Sequence, residues 1–114
     1  MSTYRDLTIW RDSVALIKNV YAIADNFPKS EEFNLKQQLK RAVVSVALNI
    51  AEGKSRKTGK DFANFLSMAN ASLSEVEAVL IISGELGYTK FDGKLSDDIA
   101  VLGRKIDSLR NKIK

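Results

Sequence analysis

The 114-residue chain contains no cysteine and no histidine. Without cysteine there is no disulfide framework, no thiolate metal site and no thiol nucleophile. Without histidine the commonest general base and the commonest metal ligand are both missing. Any catalysis would rest on carboxylates, lysine, tyrosine or serine. Proline occurs once, at Pro28, and no segment alternates with the two-residue period of a strand. No apolar run approaches the roughly 18 residues of a membrane span. The opening residues, Met-Ser-Thr-Tyr-Arg-Asp, lack the apolar centre of a signal peptide. A cytoplasmic address is the expectation. Acidic residues are scarce in one region: from Lys36 to Lys60 there are seven basic residues and one acid, Glu52. Such a local excess points to an anionic partner, or to a merely solvated basic face.

What is present is helical spacing. Leu7, Trp10, Val14, Ile17, Tyr21 and Ala24 recur at three- and four-residue steps, which predicts an amphipathic first helix over about residues 8–26. Thr8 is its candidate N-cap, and Phe27-Pro28 ends it, because the residue before proline is pushed out of the helical region. A second helix covers about residues 31–52. Ser30 followed by two acids is one candidate start. Asn34 with Gln37 three residues on is another. A single turn, a break and then the long helix would satisfy both. Gly53 is read as its stop.

Thr58-Gly-Lys-Asp61 has capping-box form and opens a third helix over about residues 59–86, about 42 Å long at 1.5 Å per residue. Phe62, Phe65, Leu66, Ala69, Leu73, Val76, Val79, Leu80 and Leu86 keep its period, and Gly84 inside it lowers stability by about 1 kcal/mol relative to alanine. Gly87 ends it. Asp92 caps a fourth helix over about residues 93–113, where Leu95, Ile99, Leu102, Ile106, Leu109 and Ile113 form a heptad seam. Its basic last turns suit a helix C-terminus. The predicted fold is all-α: a single-domain, antiparallel up-down-up-down four-helix bundle.

The most unusual stretch is Arg41-Ala-Val-Val-Ser-Val-Ala-Leu-Asn-Ile-Ala-Glu-Gly53. Between Ala42 and Ala51 only Ser45 and Asn49 are polar, so the helix is apolar almost all round and should be buried on several sides, within the bundle or against another subunit. Gln38, Ser45, Asn49 and Glu52 form a narrow polar line along it. Ser72 and Glu75 on the third helix are placed to answer, with Arg41 to close the set. Buried polar groups need partners, so the expectation is a structural hydrogen-bond network between the second and third helices.

The loop that follows, Gly53-Lys-Ser-Arg-Lys-Thr-Gly-Lys60, fails as a nucleotide-binding loop. Its glycines are one residue too far apart, Asp61 stands where a metal-binding Ser or Thr belongs, and a helix precedes it. A looser electrostatic role is left. Lys54, Arg56, Lys57 and Lys60 sit beside a helix N-terminus, which also favours anions, and Lys36, Lys40 and Arg41 extend the surface. Contacts of this kind would grip a phosphate backbone without reading bases.

Glu52, Glu75 and Glu77 offer a carboxylate alternative, di-metal or acid–base. Di-metal bundles, however, use Glu-x-x-His pairs, and histidine is absent. Trp10, Tyr21, Phe62 and Phe65 are read as core packing, because stacking platforms require exposed rings interleaved with basic residues.

The segment from Arg41 to Gly53 resembles the signature of the four-helix-bundle proteins encoded by intervening sequences in bacterial large-subunit ribosomal RNA genes. Phe27-Pro28, Glu32, Leu35 and Gln38 match the approach to that motif. Phe62, Phe65-Leu66, Ala69, Ser72-Leu73 and Glu75 match the third helix, and Leu86-Gly87-Tyr88 its end. One departure is Ala47, where the family frequently has proline. The resemblance implies a ring-like homopentamer without enzymatic activity or cofactor. It further implies similarity to the accessory proteins of diversity-generating retroelements, which bind a reverse transcriptase and nucleic acid. The expected protein is a non-enzymatic, self-associating bundle that offers a basic surface to RNA or DNA; the alternative is an adaptor for protein partners alone.

Overall fold

A computed structural model describes residues 3–114. Four helices follow one another along the chain: α1 Thr8–Ala24, α2 Leu35–Lys54, α3 Gly59–Glu85 and α4 Gly93–Ile113, with short 3-10 turns at Tyr4–Asp6 and Lys29–Glu31. No strand occurs among the described residues. Successive helices run antiparallel. Asp25 at the end of α1 meets Lys40 of α2, Ser45 of α2 meets Ser72 of α3, and Asn70 of α3 meets Asp107 of α4. The α2–α3 pair is the most closely packed, and α1 and α4 meet least. The result is the four-helix bundle expected from the heptad spacing, about 44 Å along its long axis.

Local chemistry explains most of the boundaries. The Thr58 hydroxyl accepts from the Asp61 N–H at 3.1 Å, and the Asp92 carboxylate accepts from the Leu95 N–H at 2.8 Å. Each side chain satisfies one of the orphan donors of a first turn. At the far end of α3, Gly87 adopts a positive φ of 80°. Its N–H then donates to the Gly84 carbonyl and the Tyr88 N–H to the Ser83 carbonyl, the paired closure that a left-handed residue after a helix permits.

Three boundaries differ from the sequence expectation. Thr8 is not a cap: Leu7 occupies the N-cap position without a side-chain bond. The chain is instead shaped upstream, where Thr3 and Asp6 bond each other's backbone across the Tyr4–Asp6 turn. α1 stops at Ala24 rather than at residue 26, because the N–H groups of Asn26 and Phe27 switch to shorter-range carbonyls before Pro28. The second helix takes the form of a turn, a break and then a long helix. Asn34, one of the two expected starts, holds the N-cap position of α2, but its side chain makes no capping bond, and Ser30 does not cap the helix. The Glu31 carboxylate, from the preceding turn, accepts from the Leu35 N–H at 3.4 Å and from the Asn34 amide at 2.9 Å.

The core combines Leu39, Val43, Val46 and Ile50 of α2 with Leu66, Leu73, Val76 and Leu80 of α3 and the seam Leu95, Ile99, Leu102 and Ile106 of α4. The deepest line of α1 is Ile9, Ser13, Leu16, Val20 and Ala24, so the apolar stripe read from sequence is rotated. Trp10, Val14, Ile17 and Tyr21 flank it, half-buried. Ser13 lies fully inside because its hydroxyl donates to the Trp10 carbonyl of its own helix at 2.7 Å, so burial leaves no orphan polar atom. α2 continues unbroken through Ala47, which is buried.

α3 is long and apolar enough to span a membrane by length and composition alone. Here its apolar side supplies much of the bundle core. Gly84 lies within it, where an added methyl would meet only the Thr89 carbonyl oxygen, at an ordinary 3.8 Å. Gly84→Ala is therefore expected to raise the unfolding free energy by about 0.5–1 kcal/mol, through lower backbone entropy in the unfolded chain. Urea unfolding checks this; a lowered midpoint would contradict it.

Candidate nucleic-acid interface

The polar line of α2 does not close into one network. Ser45 and Ser72 hydroxyls meet at 2.8 Å, and the Asn49 amide donates to the Ser45 carbonyl at 2.9 Å and to its hydroxyl at 3.1 Å. These three residues join α2 to α3. Gln38 instead turns back to Asn34 at 3.3 Å, and Glu52 pairs with Arg56 one turn on at 2.6 Å. Glu75 stays exposed. With Gln38, Arg41, Ser45 and Ser72 it lines an open groove of about 330 Å³ between the two helices. Side chains at the outer members of the line bond along their own helix instead of across to α3.

The carboxylates of the metal or acid–base alternative are dispersed. Glu75 faces the α2–α3 groove, Glu77 the α3–α4 groove, and Glu52 a groove shared with Tyr4, Leu48 and Asn49. Among the described residues no three Asp or Glu side chains converge as metal ligands would.

The basic residues fall into two groups. Lys36 and Lys40 are tied into the α1–α2 joint. Lys40 donates to Asp25 at 2.7 Å and lies 4.7 Å from the centre of the Tyr21 ring; Lys36 bonds Glu32 at 3.0 Å. The hydrogen bond from Lys40 holds the Asp25 carboxyl below its ordinary value, and the same contact raises the Lys40 ammonium. Lys36 and Lys40 therefore do not extend the basic surface as freely as the sequence suggested. Arg41 is exposed at the lip of two grooves.

The second group is built around Gly53, which is not the stop of α2. The helix runs one residue further, to Lys54, and Gly53 is buried within it. A Cβ there would lie 2.7 Å from the Phe65 Cβ and 2.9 Å from Phe62 Cδ1. The missing side chain lets α3 press two phenylalanine rings against the end of α2. Each ring carries a cation. Lys54 lies 5.9 Å from the Phe62 centroid and Arg56 4.6 Å from that of Phe65. Arg56 is thus held from below by a ring and from the side by Glu52. Lys57 and Lys60 are exposed and enter no ion pair among the described residues.

Folding adds cations that the loop alone does not reveal. The C-terminus of α4 arrives at the start of α3, so closely that a side chain on Gly59 would run into the Ile113 carbonyl. Lys112 and Lys114, both exposed, join Lys54, Arg56, Lys57 and Lys60 at one end of the bundle. The basic last turns of α4 were the available signal, but the helix dipole accounted for them without reference to the loop. At the opposite end Asp25, Glu31, Glu32, Glu85 and Asp92 are balanced by Lys29, Lys36, Lys40, Lys90 and Lys94. There the Tyr88 hydroxyl donates to Glu31 at 3.2 Å, and burial first, then that carboxylate, pushes the phenol above its ordinary value.

Apolar side chains are left uncovered before α2, along it and just past the end of α3. Phe33 is 87% exposed, Leu48 60% and Leu86 53%. The bundle hides most of the apolar girth of α2 but not Leu48, which with Tyr21, Phe33 and Val44 lines an open groove of about 550 Å³. No curated protein sequence matches the chain. Residues 5–113 match a family model described as 23S rRNA-intervening sequence protein.

Proposed function

The chain belongs to the 23S rRNA-intervening sequence protein family, and from that premise we propose that it is a non-enzymatic, cytoplasmic, self-assembling bundle that grips RNA or DNA by its basic end. One observation carries the reading: the α2–α3 loop and the C-terminus of α4 converge, collecting Lys54, Arg56, Lys57, Lys60, Lys112 and Lys114. Cations so placed bind a phosphate backbone by releasing its condensed counterions, without reading sequence. Arg41 lies away from that end and adds to the surface along the α2–α3 groove.

Self-assembly is supported by Phe33, Leu48, Met68, Ile82 and Leu86, each about half or more exposed. Residues of this kind mark a surface meant for another protein, and a second copy is the occupant proposed, in the ring of five that the resemblance implies. Gel filtration with light scattering should give a closed multiple of the 12.7 kDa chain; a monomer at micromolar concentration would refute assembly. Nucleic-acid affinity should fall steeply with salt, with a log–log slope of about −4 to −5 if all six cations engage. Failure to bind at low salt would leave the protein-adaptor role in its place.

A further inference from the structure

We propose that the basic end selects single-stranded over duplex nucleic acid, by stacking an unpaired base on the Arg56–Phe65 pair. This rests on the reading that the end binds nucleic acid at all, and adds which form it takes. Three contacts fix the pair. Gly53 allows the Phe65 Cβ to approach where a methyl would sit 2.7 Å away, so the ring is seated on α2. The Arg56 guanidinium lies over that ring at 4.6 Å. The Glu52 carboxylate then takes one guanidinium nitrogen at 2.6 Å, which sets its direction. The Arg56 side chain nevertheless stays 42% exposed. A guanidinium held on one side and open on the other is a ready surface for a base, because bases stack on arginine planes as they do on aromatic rings. Lys54 over Phe62 repeats the combination one ring away.

The surrounding lysines serve a backbone of either form, so they give no preference. The preference comes from stacking, since bases in a duplex already stack on one another and present only their edges. This end of the bundle consists of the α2–α3 loop, the starts of α1 and α3 and the ends of α2 and α4. Among the described residues it presents no helix side that would lie in a major groove and read those edges. Phe62 and Phe65 are packing residues, as their spacing implied, and half-exposed rings beneath cations as well.

The test is fluorescence anisotropy with a short labelled RNA of mixed sequence, alone and annealed to its complement, at matched salt. The intact protein should bind the single strand more tightly. Arg56→Lys keeps the charge and loses the plane. It should weaken single-strand binding by roughly ten-fold while leaving duplex binding and the salt slope unchanged. Lys57→Gln should weaken both forms alike. Equal affinity for the two RNAs, or full single-strand affinity in Arg56→Lys, would overturn the inference and leave backbone binding standing. If neither RNA binds at low salt, the nucleic-acid reading falls and this inference with it.

Discussion

Gly53→Ala is expected to lower the unfolding free energy by about 1–3 kcal/mol, the range for forcing a methyl into a closed contact. The sign is the informative part. Alanine in place of glycine within a helix ordinarily stabilises, by about 0.5–1 kcal/mol, and Gly84 has room for that gain. At Gly53 the new Cβ would stand 2.7 Å from the Phe65 Cβ, an atom one bond from the backbone that cannot swing aside. Either α3 withdraws from α2 or both rings leave their seats. Urea unfolding of the two variants side by side checks the contrast. A Gly53→Ala protein as stable as the parent would mean that the helices part at no cost. The Arg56 seat depends on the same ring, so salt-sensitive RNA binding should weaken in this variant even at temperatures where it remains folded.

Reversing Lys57, Lys60, Lys112 and Lys114 to glutamate should remove most of the proposed nucleic-acid affinity. Each lysine that no longer neutralises a phosphate lowers the salt slope by about 0.7–0.9, so the log–log slope should flatten by about three. All four side chains are exposed and form no ion pair among the described residues. Stability should therefore shift by only about 0.5 kcal/mol per site, which separates a binding defect from a folding defect. The pairs Lys57/Lys60 and Lys112/Lys114 tested separately carry the structural point. Weaker binding from the second pair alone, far away in sequence, is expected only if the two segments act as one surface. Unchanged affinity in the fourfold variant would place any binding elsewhere.

The helices themselves were legible because their signals are local. Thr58 and Asp92 cap within three residues, Gly87 closes α3 with its neighbours, and the α4 seam repeats every seven residues. What escaped reading depends on distance. Gly53 looks like a helix stop, and only the approach of Phe62 and Phe65, on another helix, shows that it is there to be small. Ser13 breaks an apolar seam by its letter yet fits it by bonding its own helix. Lys36 and Lys40 belong to a basic run, but Asp25 on the preceding helix claims them. Of the polar line from Gln38 to Glu52, only Ser45 and Asn49 share the joint with Ser72, because Gln38 and Glu52 find closer partners one turn away. The basic end was half visible: its loop could be read directly, whereas Lys112 and Lys114 join it only once α4 has folded back.

The placement of charge along the bundle has a consequence for any ring built from it. Unmatched basic residues gather at one end of a body 44 Å long, whereas at the other end lysines balance the acids, so each subunit carries its excess positive charge at one end of its length. Rotation about a ring axis cancels the radial parts of such an asymmetry and sums the axial parts. A cyclic assembly whose subunits stand along the axis would therefore have two unlike sides, one attracting polyanions and one close to neutral. Nucleic acid would meet such a ring from one direction, the more strongly as salt is withdrawn.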